Sequence, residues 1–337
     1  MGAREPYVDL LRAAAILRVY LLHTLWLSWL PAVFPAIPVM FALGGCLAAA
    51  SLERGGAWRA VTSRLRRLLP PLWVLAAGAV PLMLVRGWPD FRPTAVLYWL
   101  VPVANPPTSE WGGPLALALW YLRAYLWLVL LSPALWWAFR RAPRATLAAL
   151  PAAALVLYLA GRPATPVGDV LWSSTAYGTC WVLGFARHTG LLYRRSALLT
   201  GVAAAGLAVA AMAWGITHRY PDELAELLWG LAFVVVLMRA RPALSWWERA
   251  RPLAQVVAFL NARAVTIYVW HLPVMFAAMG LLAYAGRPAE PLITLAVGTP
   301  LLAAVVLAAG WVEDLAARRR PRLVPSAPSR RVLTGST

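Results

Sequence analysis

Ten apolar stretches, each about long enough to cross a bilayer, follow one another along this chain. They run over residues 8–30, 31–52, 68–86, 114–139, 145–161, 170–187, 196–216, 222–239, 264–285 and 290–312. Such a series leaves little choice of fold. Backbone immersed in hydrocarbon must satisfy its own polar groups, and apolar stretches of this length do so as helices. The sequence therefore specifies an all-α, polytopic membrane helix bundle with about ten transmembrane helices. Composition agrees, since 61% of the 337 residues are hydrophobic and only 13% are charged. The third stretch holds Pro70, Pro71 and Pro81 and is expected to bend. The shorter apolar piece Thr94–Val103 reads as re-entrant or interfacial.

The few charges are unevenly placed. The formal net charge is +18, and every one of the 31 basic residues is arginine. If the stretches alternate across a membrane, 23 arginines fall on one side. Five (Arg86, Arg92, Arg162, Arg219 and Arg287) fall on the other, and Arg12, Arg18 and Arg123 lie inside the stretches. The positive-inside rule then puts both termini in the cytoplasm. Because the charge comes in short bursts between apolar stretches, it argues for a membrane and against nucleic acid as a partner. Absence of lysine together with abundant Ala, Pro and Gly points to a genome rich in G and C, hence to a bacterial cell membrane. Residues 1–315 form the membrane domain, and residues 316–337 read as a basic, disordered cytoplasmic tail drawn to anionic headgroups. Cys46 and Cys180 lie in apolar segments without metal-ligand spacing, so neither a metal nor a permanently bound cofactor is expected.

An arginine at the centre of a spanning helix costs about 2.5–3.5 kcal/mol on insertion scales, so it seldom persists without a partner or a task. The first stretch carries Asp9, Arg12, Arg18 and His23. Arg12 and His23 lie within about 20° of one helical face, roughly 16 Å apart along the axis. Arg18 lies roughly 240° round from Arg12 and is expected to snorkel to the inner headgroups. Asp9, one turn before Arg12, is placed to pair with it. Depth along the spans suggests two polar layers: His23 with Arg123 in the outer half, and Arg12 with His271 and the Arg64–Arg67 cluster in the inner half.

Several short runs of residues resemble acyltransferase family 3, membrane enzymes that acylate carbohydrates and other extracytoplasmic or membrane-associated acceptors. Tyr7-Val8-Asp9-Leu10-Leu11-Arg12-Ala13 followed by His23 matches the family's arginine, ten residues, histidine signature. Arg64-Leu65-Arg66-Arg67-Leu68-Leu69-Pro70 resembles its Arg-x-x-Arg before Leu-Pro. Trp120-Tyr121-Leu122-Arg123 resembles its Trp-x-Leu-Arg helix, and Tyr268-Val269-Trp270-His271-Leu272-Pro273 its late Tyr-x-x-His-x-Pro helix. Where the family's second helix usually carries Ser-Gly-Phe, this chain has Gly44-Gly45-Cys46, a departure that reshapes the pocket. The resemblance implies transfer of an acyl group, acetyl above all, from cytosolic acyl-CoA to a hydroxyl of a glycan, glycolipid or glycoside. Arg12, Arg64 and Arg67 would hold the donor's phosphates, His271 would bind substrate, His23 would be the general base, and Arg123 would stabilise the thioester oxygen. The sequence offers no carboxylate placed to orient His23. Buried Arg and His also suit a transporter or flippase for a lipid-linked or small anionic solute, although repeated halves are not seen and intramembrane acids are scarce. A pure membrane scaffold leaves Arg12, His23 and Arg123 without a reason.

Overall fold

A computed structural model describes residues 5–325 apart from Arg195 and Tyr220, and for Ser245 and Glu248 it describes the backbone alone. Most of the expected basic tail, residues 326–337, lies outside the described residues. The described chain is all-helical, with no strand. Its α-helices are α1 (Pro6–Leu25), α2 (Leu30–Val33), α3 (Ala36–Arg86), α4 (Ala95–Leu100), α5 (Gly113–Ala116), α6 (Leu119–Arg141) and α7 (Pro143–Leu159). They continue with α8 (Pro166–His188), α9 (Ala197–His218), α10 (Glu223–Arg239), α11 (Arg251–Ala262), α12 (Ala264–Tyr284), α13 (Pro291–Ala309) and α14 (Trp311–Ala316). Among the described residues, five stretches are long and apolar enough to cross a membrane. α9 shows why they need lipid: it turns Leu198, Leu199, Val202, Val209, Met212 and Ile216 outward and buries little besides Ala204 and Ala211.

Proline and side-chain caps open several of these helices. Pro6, Pro143, Pro166 and Pro291 stand in the first turns of α1, α7, α8 and α13. Asp222 accepts from the backbone N–H of Leu224 and Ala225 to cap α10, and Thr165 and Ser196 do the same work for α8 and α9. α1 stops where Trp26 turns left-handed.

The 51 residues of α3 are two helical arms joined at Gly56, whose φ of 70° breaks the run. The chain doubles back there. A side chain added at Gly44 in the first arm would meet the Tyr125 ring, and Arg64 in the second arm donates to the Tyr125 hydroxyl. In a straight helix those two positions would lie about 30 Å apart. Pro70, Pro71 and Pro81 keep helical φ/ψ, so the sharp turn falls at the glycine and not at the prolines expected to bend the chain. The piece read from sequence as Thr94–Val103 contains the short helix α4.

The first arm of α3 crosses α8 closely enough to exclude side chains. A Cβ on Gly45 would sit 1.9 Å from the Trp181 carbonyl oxygen, and one on Gly184 would sit 2.0 Å from the Ala42 carbonyl oxygen. Small residues at such crossings let backbones approach where lipid supplies no hydrophobic drive. At one end of the bundle, the buried Arg187 of α8 donates to the carbonyls of Met238 in the last turn of α10 and of Ala240 just after it, and to Glu5 before α1. That contact gathers the start of α1 and the ends of α8 and α10 at the same level. At the opposite end, Arg162 after α7 pairs with Glu223 at the start of α10.

Candidate active site

α1 delivers Arg12, Arg18 and His23 to three different places. Arg12 lines a cavity at the end of the bundle where α1 begins, Arg18 lines a second cavity toward the other end, and His23 lines neither.

The first cavity, of about 320 Å³, lies in the fold of α3. Arg54 from the first arm, Arg64 and Arg67 from the second, and Arg12 from α1 face it, and Tyr121, Tyr125 and Tyr268 close its inner side. Arg64 Nη1 donates to the Tyr125 hydroxyl at 3.0 Å. No carboxylate lines this space among the described residues. Such an arginine cavity is built for an anion, and planar forks suit phosphate. An open depression adjoins it, sharing Ser51, Arg54 and Ser63 and adding Arg59, Arg66 and Arg318.

Tyr268 links this cavity to two histidines. Its ring centroid lies 5.4 Å from that of His271, and His271 lies 5.3 Å from His23, with the two imidazoles tilted by 42°. His271 is buried, and its Nδ1 meets the carbonyl oxygen of Tyr268. A carbonyl can only accept, so Nδ1 carries a hydrogen, and in the neutral ring Nε2 then carries the lone pair. That Nε2 is buried without a hydrogen-bond partner. This corrects the layering expected from sequence, which placed His271 in the inner half with Arg12. Counting residues along separate helices fixes depth only if both run straight and start level, and α12 starts deeper in the bundle than a free span would: Asn261, three residues before it, already donates to the Asp9 carbonyl of α1.

Arg123 is buried on α6, and its Nη1 meets Asp169 Oδ2 of α8 at 3.4 Å. The carboxylate thus answers the guanidinium and not the imidazole of His23. Asp169 escaped the sequence reading by one residue, because the apolar stretch was begun at Val170. Trp120 precedes Arg123 by one helical turn and Trp172 follows Asp169 by one, so the pair bridges α6 and α8 beside two tryptophans of the second cavity.

That second cavity, of about 290 Å³, is lined by Arg18, Glu223 and Glu226 among Trp120, Trp172, Tyr177 and Trp229. Arg18 is 8% exposed and does not reach toward headgroups, contrary to expectation. The apolar rings around it and the glutamates of α10 give it a place inside the bundle. Also missed from sequence is a support under α12. Arg263, fully buried, donates to Asp314 at 2.8 Å, and Glu313 accepts from the backbone N–H of Thr266 in the first turn of α12. Arg263 read as one more loop arginine of the topology count, and nothing local marked it as buried.

Cys46 and Cys180 are both free thiols, and no group of side chains suited to a metal occurs among the described residues. A family model described as an acyltransferase domain matches residues 5–312, a span that holds Arg12, His23, Arg64, Arg67, Arg123 and His271. No curated protein and no solved structure matches the chain.

Proposed function

From the premise that the chain belongs to acyltransferase family 3 and is a membrane acyltransferase, we propose that it moves an acyl group, acetyl above all, from cytosolic acyl-CoA to a hydroxyl of a carbohydrate-type or glycoside acceptor. One observation carries the reading. A cavity faced by four arginines and no carboxylate ends at Tyr268, and two imidazoles in contact stand beyond it. The phosphates of acyl-CoA fit the guanidiniums of Arg12, Arg64 and Arg67, and the flexible arm of the donor then points along α1 toward His23.

In the transfer, neutral His23 takes the proton of the acceptor hydroxyl as its oxygen bonds to the thioester carbon. The carbonyl π electrons move to oxygen, where the Arg123 guanidinium stabilises the charge. The carbonyl then re-forms, the carbon–sulfur bond breaks, and the CoA sulfur leaves with the electron pair and receives the proton from the imidazolium. His271 offers the lone pair of Nε2 to a substrate hydroxyl or to a protonated His23, which gives it a place in substrate binding. Asp169 holds Arg123 from the far side.

The proposal includes ten crossings: α1, each arm of α3, α6 to α10, α12 and α13. The gathering of the start of α1 with the ends of α8 and α10 around Arg187 fits that alternation, and the arginine excess puts this end in the cytoplasm of a bacterial cell. Family membership favours the enzyme over a transporter.

His23→Ala in the full chain tests the base. With expression and acyl-CoA binding verified, acyl transfer to acceptor is expected to fall by about 10²–10⁴-fold, the usual contribution of a positioned base. Unchanged transfer rejects the role of His23. Solute accumulation in vesicles lacking any acyl donor rejects the enzyme reading.

A further inference from the structure

We propose that the aromatic cavity binds a zwitterion, a phosphate ester carrying an alkylammonium group as in phosphoethanolamine and phosphocholine headgroups. The site stands apart from the acyl transfer, which makes no use of this cavity. At about 290 Å³ the space is at the small end of small-molecule sites, which run from about 300 to 1,000 Å³. It has room for a headgroup and none for acyl chains. Opposite charges meet in it. Arg18 enters from α1 as a buried residue, and Glu223 and Glu226 enter from α10. Glu223 is matched by Arg162 through Nη2 to Oε1 at 2.8 Å. Outside that pair, the charges facing the cavity among the described residues are one guanidinium, Arg18, and one carboxylate, Glu226.

Each part of the ligand follows from these walls. A lone cation is opposed by Arg18 and a lone anion by Glu226, and the opposition grows away from water. An uncharged ligand takes up neither charge. A zwitterion takes up both: its phosphate oxygens accept from the Arg18 fork while its ammonium faces the Glu226 carboxylate. Trp120, Trp172 and Trp229 line the same space, and the indole face is the aromatic surface that attracts an alkylammonium most strongly. Position selects phosphate over carboxylate as the anion. Pro31 and Pro35, in the segment that joins α1 to α3, also line the cavity, and Trp26 and Trp29 of that segment are more than half exposed. Tryptophans so placed mark the membrane–water interface, the level at which phosphate and ammonium headgroups lie.

The test uses the purified full chain and two arms. In the first, saturation-transfer NMR follows glycerophosphoethanolamine and glycerophosphocholine beside ethanolamine, choline and glycerol 3-phosphate, which carry one sign each. In the second, native mass spectrometry measures which lipid the chain retains from an equal mixture of phosphatidylethanolamine, phosphatidylcholine and phosphatidylglycerol. A zwitterion is expected to bind about tenfold or more tightly than the single-sign probes, or a zwitterionic lipid to be retained over phosphatidylglycerol by a similar factor. Binding in the first arm identifies a soluble ligand as sufficient, and retention in the second arm alone identifies a lipid headgroup. Glu226→Gln and Trp229→Leu, with thermal midpoints near that of the wild type, should each weaken zwitterion binding about tenfold. Glu226→Gln should also improve glycerol 3-phosphate binding, because the charge opposing an anion is gone. Zwitterions that bind in neither arm, or no more tightly than choline or glycerol 3-phosphate, overturn the proposal. So does binding that neither substitution changes.

Discussion

The two cavities have nearly equal volumes, about 320 and 290 Å³, and both are served by α1, yet their walls differ in kind. Among the described residues, one is faced by four arginines and no acid, the other by one arginine, two glutamates and three tryptophans. A wall of uncompensated guanidiniums demands an anion, while mixed charges and rings suit a polar molecule without net charge. The difference also shows how one helix can serve both ends of a bundle. Arg12 and Arg18 are six residues apart, so they differ by about 240° in direction and about 9 Å in height, enough to enter separate spaces. His23 needs neither wall. It sits past both arginines, against His271.

The ends differ in support as well, and this gives the largest expected effect. Beneath the arginine cavity, α12 rests on the Arg263–Asp314 pair, both members buried. At the other end, the Arg162–Glu223 pair is partly exposed on both sides. Removing one member of a buried pair strands its partner's charge, at a cost of about 3–5 kcal/mol, whereas an exposed pair contributes about 0–1 kcal/mol. Asp314→Ala should therefore lower the thermal midpoint sharply and weaken acyl-CoA binding, and Arg162→Ala should barely move the midpoint. Equal shifts would erase the asymmetry. Burial alone would raise the Asp314 pKa, but hydrogen bonds from Arg263 and the Arg322 backbone, with the charges of Arg263 and Arg319, hold it below the usual carboxylate value. A carboxyl depressed on folding stabilises fully above its ordinary pKa and loses that contribution as pH falls through the lowered one. Acidification below about pH 4 should thus soften the wild-type protein and leave Asp314→Asn comparatively indifferent.

Next in size is the double substitution Arg64→Ala with Arg67→Ala. Hydrogen bonds to charged groups contribute about 1.5–3 kcal/mol each, so the KM for acyl-CoA should rise on the order of 100-fold. The KM for acceptor should hold steady, since both residues face the donor cavity of the proposed function. A parallel rise in both constants would mean that donor and acceptor share one site.

How much of this could be seen in the sequence depended on the length of the pattern. The helical class followed from apolar runs, and Arg12 with Arg64 and Arg67 followed from motifs whose members do come together around one cavity. Depth did not follow. His271 was assigned to the wrong layer because the level at which α12 starts is set by its contact with α1 through Asn261, a tertiary fact. Asp169 was lost to a boundary, and helix boundaries are the least certain feature of any pattern. Arg187 and Arg263 look like ordinary loop arginines, and only packing separates them from Arg141 or Arg249, which stay exposed. The aromatic cavity was invisible for the same reason: its walls come from α1, α2, α3, α6, α8 and α10, scattered along the chain and joined by no motif.

The smallest effect is also the cleanest separation of the two substrates. Salt shortens the reach of a charge from about 10 Å at 0.1 M to about 3 Å at 1 M. Arg54 and Arg67 are exposed at the arginine cavity, and the adjoining depression adds Arg59 and Arg318, so the attraction on an incoming polyanion is open to screening. Across that range the KM for acyl-CoA should climb about three- to tenfold, because only the exposed share of the guanidinium field is lost while the buried contacts persist. A neutral sugar ring has no charge to screen, so the KM for acceptor should stay flat. Should both constants climb together, the acceptor is itself an anion. Should neither move, the arginines act only after the donor is seated, and their number at the mouth needs another cause.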